Sequence, residues 1–267
     1  MTDTAIIAGA GALPAALAAA LPARPLVAAL EGYAPEGLAP DAVFRVERLV
    51  PFLNDLLNRG IRRVCFAGAV QRPRLDPSLF DPLTAQMVPR LITAMGQGDD
   101  ATLREVVGIF EDTGLSVVGV QEIAPALVPG AGVLCGLPSK TDERDADRAA
   151  LIVEALGRVD VGQGAVVQQG LCLAVEALPG TDAMLAGVAA LTRLRPDPAR
   201  GKGVFYKAPK PLQDRRIDLP AIGPQTVEGA AAAGLAGIVW QAGGVIALDQ
   251  PAMRAAATAH GLFLWAR

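Results

Sequence analysis

Histidine, cysteine and aromatic side chains are scarce in this chain, and each scarcity removes a class of chemistry. Of 267 residues, one is histidine. His260 sits near the end of the last expected helix, just before Gly261, where the helix dipole alone favours it. With the only imidazole so placed, a Ser-His-Asp or Cys-His mechanism has no support. The three cysteines, Cys65, Cys135 and Cys172, are odd in number and widely scattered. They form no disulfide framework, and no CxxC pair exists to hold zinc. Each lies in an apolar run (VCFAG, VLCGL, LCLAV), which predicts buried, inert thiols. Aromatics make up only 4% of the chain, so the core must be built from Ala, Leu and Val. Positive charge is not in excess either. The net charge of −3 offers no field for a nucleic-acid backbone, so no nucleic-acid partner is expected. No basic stretch precedes the apolar segment of MTDTAIIAGAG, so no secretory signal is expected and the chain is read as cytoplasmic.

What is present points to a folded α/β protein. Hydrophobic residues make up 52% and charged residues 19%, which provides ample burial and argues against disorder. The first half alternates strand-like and helix-like segments: strands at Thr4–Ala8, Pro25–Leu30, Arg63–Ala67 and Ser116–Val120, helices at Leu13–Leu21, Val50–Arg59, Thr84–Met95 and Ala101–Thr113. Nearly continuous apolar strands between helices imply a parallel, doubly wound sheet covered on both faces. Proline and glycine crowd residues 125–140, and TDERDADRAALIVEALGRV then opens a strong helix. The boundary is placed there, giving a Rossmann-like domain over 1–136 and a catalytic α/β domain over 137–267. The second half carries strands at Ala165–Gln168 and Leu171–Val175 and a helix at Asp182–Leu194. No charge falls between Glu228 and Asp249, a length that passes a crude membrane filter. Five glycines and Gln241 inside it read instead as a buried hairpin, Ile238–Gln241 and Val245–Leu248 around Gly243-Gly244.

Five segments carry candidate chemistry. Gly9-Ala10-Gly11 follows a strand and opens a helix, so its amides suit a phosphate, and Glu31 ends the next strand where a ribose-binding acid belongs. A tight strand-to-helix turn explains the same glycines equally well, and Pro14 replaces the third glycine of a dinucleotide fingerprint. Arg72, after the third strand, reads either as a phosphate contact or as a surface arginine. Asp99 and Asp100 precede a helix, one suited to capping it and the other to a hard divalent ion. In Glu176-Ala177-Leu178-Pro179-Gly180-Thr181-Asp182, Thr181 or Asp182 suits an N-cap, and an acid at a strand end makes a metal and phosphate corner. Lys207–Gly223 holds four cations, two acids and three prolines in seventeen residues. The prolines exclude a helix and predict a stiff, extended track. Cations beside Asp218 suit an anionic substrate and a carboxylate that binds metal or activates water.

Several motifs together carry a resemblance: IAGAGALP (7–14), CFAGAVQRP (65–73), GDDATLR (98–104), DVGQGAVV (160–167), AVEALPGTDAML (174–185), KAPKPLQDRRIDLPAIG (207–223) and GLAGIVWQAG (234–243). In this order they resemble the UDP-2,3-diacylglucosamine pyrophosphatases of lipid A synthesis, in the form unrelated to the metallophosphoesterase enzyme. The resemblance covers nearly the whole chain. It implies a Rossmann-like N-terminal domain, a short tether, a C-terminal domain of its own type, and substrate bound between the two. The implied reaction is Mg²⁺-dependent hydrolysis to UMP and 2,3-diacylglucosamine 1-phosphate, with the essential acid at Asp218. Ala69 departs from the family, in which a polar residue is common at that point.

The expected site follows from both readings. Asp218 is catalytic; Gly9, Gly11, Arg72, Thr181, Lys207, Lys210, Gln213 and Arg216 bind substrate; Asp99, Asp182 and Asp218 hold Mg²⁺. The expected partner is a small lipid-nucleotide, with transient contact at the inner-membrane surface and a homodimer left open. Two other classes stand beside this one: an NAD(P)-dependent oxidoreductase using Gly9, Gly11 and Glu31, and a non-catalytic nucleotide-lipid binding module.

Overall fold

The computed structural model describes residues 2–71, 75–191, 194–211 and 213–267; the side chain of Asp99 is outside that description. The chain divides into two compact units. Unit 1 is Met1–Leu127 joined by Asp214–Asp218, and unit 2 is Val128–Gln213 with Leu219–Arg267.

Unit 1 runs β1 (Thr4–Ala8), α1 (Leu13–Ala20), β2 (Leu26–Leu30), β3 (Ala42–Phe44), α2 (Leu49–Asn58), β4 (Arg63–Ala67), α3 (Pro82–Ala85), α4 (Val88–Met95), α5 (Asp99–Asp112), β5 (Ser116–Val117) and α6 (Val120–Ile123). The strands form one parallel sheet in the order β3-β2-β1-β4-β5, the doubly wound arrangement the apolar pattern implies. All five residues of β1 are buried, as a central strand covered on both faces requires. The core beneath it joins Ile7, Phe52, Leu53, Val64, Ile109 and Phe110. The single helix expected over Thr84–Met95 is two helices. Asp81 caps α3, accepting from the amides of Leu83 and Thr84 at 3.0 and 3.1 Å. Pro89 has no N–H with which to continue that helix and takes the first turn of α4 instead. The strand expected over Ser116–Val120 stops at Val117, because Gly119 is already the N-cap of α6. The N-cap position of α5 falls on Gly98, at φ +117°, a backbone conformation that glycine alone adopts freely.

Unit 2 runs β6 (Gly132–Cys135), α7 (Lys140–Arg158), β7 (Gly164–Gln168), β8 (Leu171–Val175), α8 (Gly180–Ala190), β9 (Val204–Lys207), β10 (Ala221–Ile222), α9 (Pro224–Ala232), β11 (Gly237–Trp240), β12 (Ile246–Ala247), α10 (Gln250–His260) and β13 (Phe263–Ala266). Its main sheet is mixed, in the order β6-β13-β11-β9-β7-β8, with β9, β11 and β13 parallel and the flanking strands antiparallel. One face packs on α8, α9 and α10 through Leu185, Val227, Trp240 and Met253, and the other packs on α7 through Ala146, Ala149 and Val153. Ser139 and Asp142 form a capping box at the start of α7. Gln169 and Gly170, both at positive φ, turn β7 into β8, and the buried Asp145 carboxylate accepts both of their amides at 2.9 and 2.7 Å.

Three further expectations are corrected here. β11 and β12 do not form a hairpin. Both edges of β11 are filled by β9 and β13, so β12 pairs with β10 instead. Cys172 is exposed on the edge strand β8, because its side chain has no covering layer there; Cys65 is buried and Cys135 half-buried. Burial pushes the Cys65 thiol up to about 12 and raises the other two as well, so none of the three is a ready thiolate. Finally, the 207–223 segment is not one extended track. Asp214–Asp218 closes a turn in which the amides of Ile217 and Asp218 both donate to the Asp214 carbonyl at 3.2 Å.

The loops after β1 and β4 fit against each other with almost no slack. A Cβ on Gly9 would stand 2.6 Å from the Ala69 carbonyl oxygen. Gly9→Ala is therefore expected to destabilise the protein by about 1–3 kcal/mol through overpacking. A urea melt checks it: the midpoint falls while the slope stays unchanged.

Candidate functional site

In unit 1, the order β3-β2-β1-β4-β5 puts the topological switch point between β1 and β4, where open α/β sheets bind ligands. Here that crevice is occupied by backbone. Ala10 and Ala69 form an antiparallel bridge, each amide donating to the other's carbonyl at 2.9 Å. The Gly9 amide donates to Ala67 at 2.8 Å. Gly68, at φ +99°, lets its loop come within contact distance of Gly9 and Ala10. The glycines thus serve loop closure, and the amides of Gly9 and Ala10 are already spent. Gly11, at φ +92°, turns the chain into α1 and accepts from Glu36 at 3.1 Å. Glu31 pairs with Arg45 at 2.6 Å. Arg72 lies outside the described residues.

In unit 2, β9 ends in Lys207, whose side chain is only 6% exposed. Its ammonium donates to both Glu176 oxygens, at 3.2 and 3.3 Å, and to the Thr181 hydroxyl. Thr181 in turn donates to Glu176 at 2.8 Å. Glu176 follows β8 and Thr181 lies in the first turn of α8, so three elements meet at one point. Neither Thr181 nor Asp182 is the N-cap of α8. Pro179 holds that position, its ring carrying no group that could cap, and Thr181 is engaged with Glu176. Asp182 is exposed in the first turn. Lys210 pairs with Asp160, a residue at φ +56°. The buried Gln213 accepts from the Gln163 amide group at 2.7 Å and from the Lys210 backbone at 2.9 Å, while Ala208 donates to the Gln163 carbonyl at 3.0 Å.

The stretch Asp160-Val161-Gly162-Gln163-Gly164 thus organises the lysine segment, and sequence reasoning assigned it no role. Its signal was present: an acid, then an amide set between two glycines. A Cβ at Gly162 would fall 1.9 Å from the Glu176 carbonyl oxygen, and one at Gly164 would fall 2.7 Å from Glu176 Oε2.

The five residues Asp214–Asp218 belong to unit 1 and are held on α5. Arg216 grips Asp214 through Nε at 3.0 Å and Nη2 at 2.7 Å, and reaches Glu111 on α5 through Nη1 at 2.7 Å. Ile217 packs into the core of unit 1. The Arg216 hydrogen bond, opposed by burial and helped by Arg216's charge and that of Arg104, holds the Asp214 carboxyl below its usual range. The same pairing raises Arg216. Asp218 closes this turn and is half-buried. The backbone of Asp99 opens α5. Among the described residues, no group of three or more His, Cys, Asp or Glu side chains comes together. His260 pairs with Glu228 at 2.8 Å.

Residues 3–127 match the family model of the LpxI N-terminal domain, and residues 130–265 match that of the LpxI C-terminal domain. The chain belongs to the LpxI family. It is 41% identical over 275 residues to the UDP-2,3-diacylglucosamine pyrophosphatase LpxI of Caulobacter vibrioides, with 99% of this chain and 97% of that protein covered. The resemblance read from the motifs is therefore borne out along the full length. Neither the oxidoreductase nor the binding-module alternative gains support.

The Arg216–Asp214 contact in this LpxI-family chain carries a pH signature. A carboxyl lowered by folding stabilises the protein above its unfolded value, here 3.8, and loses that contribution as pH falls through the lowered value. Asp214→Asn is expected to cost about 1 kcal/mol at neutral pH, water screening having reduced the charged bond. Paired urea melts from neutral to acid pH check this: the gap between the two proteins begins to narrow below about pH 4 and closes only beneath the lowered value.

Proposed function

We propose that this chain hydrolyses the pyrophosphate bond of UDP-2,3-diacylglucosamine, releasing UMP and 2,3-diacylglucosamine 1-phosphate. The observation that carries the reading is its full-length kinship with a pyrophosphatase of that substrate. The local chemistry agrees. Breaking a phosphoric anhydride needs charge neutralisation, a placed water and a stabilised phosphate leaving group. Lys207 offers a buried ammonium at a strand end, beside the first turn of α8, whose amides favour anions. Gln213 and Lys210 extend that polar surface along the same segment of chain. Asp218, eleven residues after Lys207 in the sequence, is the group we assign to orienting water and accepting its proton.

The cations of the segment are mostly spoken for. Lys207 is countered by Glu176, Lys210 by Asp160, and Arg216 by Asp214 and Glu111. A diphosphate therefore needs positive charge from elsewhere. We assign that role to Mg²⁺, an ion that uses one or two carboxylates and takes its remaining ligands from water and phosphate oxygens. Asp218 is the residue we assign first to holding it, with Asp99 and Asp182 as the other candidate acids. When bound, Mg²⁺ supplies charge neutralisation at the phosphate oxygens. No described helix is long and apolar enough to cross a membrane. We place the enzyme in the cytoplasm, meeting its lipid substrate at the inner-membrane surface.

Purified protein incubated with UDP-2,3-diacylglucosamine and Mg²⁺ should release UMP, read by chromatography, and EDTA should stop the release. No UMP at any Mg²⁺ concentration ends the proposal. Asp218→Ala should lower kcat by roughly 10²–10⁴-fold, the usual weight of a general base. Its unfolding midpoint and substrate binding should stay near wild type. Full turnover in that variant removes Asp218 from the mechanism.

A further inference from the structure

We propose that Glu176 is a positioning residue: it fixes the Lys207 ammonium and the Thr181 hydroxyl so that one N–H of Lys207 is presented to the substrate's diphosphate. This rests on the pyrophosphatase reading above. The proton inventory supports it. A threonine hydroxyl has one proton, and Thr181 gives it to Glu176 at 2.8 Å. Its oxygen therefore meets Lys207 as an acceptor. An ammonium has three donors. One goes to Thr181 and one is shared by the two Glu176 oxygens, at 3.2 and 3.3 Å. The third has no place in this triangle, and its direction is fixed once the other two are held. A lysine on a flexible four-carbon stem gains a single orientation only through such clamping.

A second, independent observation concerns space. The Glu176 carboxylate fits only because residue 164 lacks a side chain: a Cβ there would stand 2.7 Å from Oε2 and 2.8 Å from the Phe205 ring. Gly162 likewise admits the Glu176 backbone. Two glycines of the Asp160–Gly164 stretch are thus given over to receiving one acid. The carboxylate is itself only 12% exposed, so it is packed against its partners and not solvated beside them.

The test is kinetic, on the full-length enzyme. Glu176→Gln keeps the shape and removes the charge. It should lower kcat by about 10²-fold, as a misplaced contact does, with a smaller change in KM. Adding Glu176→Gln to Lys207→Met should cost nothing further, because Glu176 acts through Lys207. Wild-type kcat in Glu176→Gln, or losses that multiply in the double variant, overturns the proposal and leaves the pyrophosphatase reading intact. A wild-type enzyme that releases no UMP overturns both. Should Glu176→Gln fail to fold, Glu176→Asp keeps the charge and shortens the reach. Reduced kcat with an unchanged unfolding midpoint is then expected, and wild-type kcat overturns the proposal.

Discussion

The site in unit 2 depends on one buried contact, the triangle of Lys207, Glu176 and Thr181. A lysine that is 6% exposed at the end of a strand is tolerable only with a carboxylate against it, because an uncompensated buried charge costs about 3–5 kcal/mol. That requirement propagates outward. The carboxylate needs room, which Gly162 and Gly164 provide. The chain after Lys207 needs its polar backbone satisfied, which Gln163 and Gln213 provide. A motif that looks like a list of polar residues is, in three dimensions, the set of partners that one buried ammonium and one proline-rich segment demand.

Unit 1 shows why a fold does not by itself specify a ligand. Its strand order is that of a doubly wound sheet, and its first loop has glycines where dinucleotide-binding proteins have them. The glycines do different work here. They allow two loops to pair across the switch point, and that pairing consumes amides a phosphate would otherwise use. An acid at the end of β2, placed as a ribose ligand is placed in such proteins, instead pairs with Arg45.

The segment around Asp218 combines both themes. Five residues from the second half of the sequence belong to unit 1, held by Arg216 on Asp214 and Glu111 and by Ile217 in the core. Arg216 is thereby a structural clamp before it is anything else, since its fork is filled by two carboxylates. Its neighbour Asp218 inherits a fixed backbone from the turn that the clamp closes.

The fold class, most of the unit 1 strands and the family were legible in the order of residues alone. Apolar runs of strand length between helical periods have few alternative packings, and a motif such as KAPKPLQDRRIDLPAIG is long enough to be specific. Tertiary structure alone decided which polar groups are available. Whether Glu176 faces a metal or a lysine, whether Gly9 serves a phosphate or a neighbouring loop, and whether two adjacent apolar runs pair as a hairpin or join different sheets are questions about partners distant in the chain. Local pattern cannot answer them, because hydrogen bonds and charge pairs are set by distances across the fold, and a side chain's chemistry is whatever those partners leave unspent.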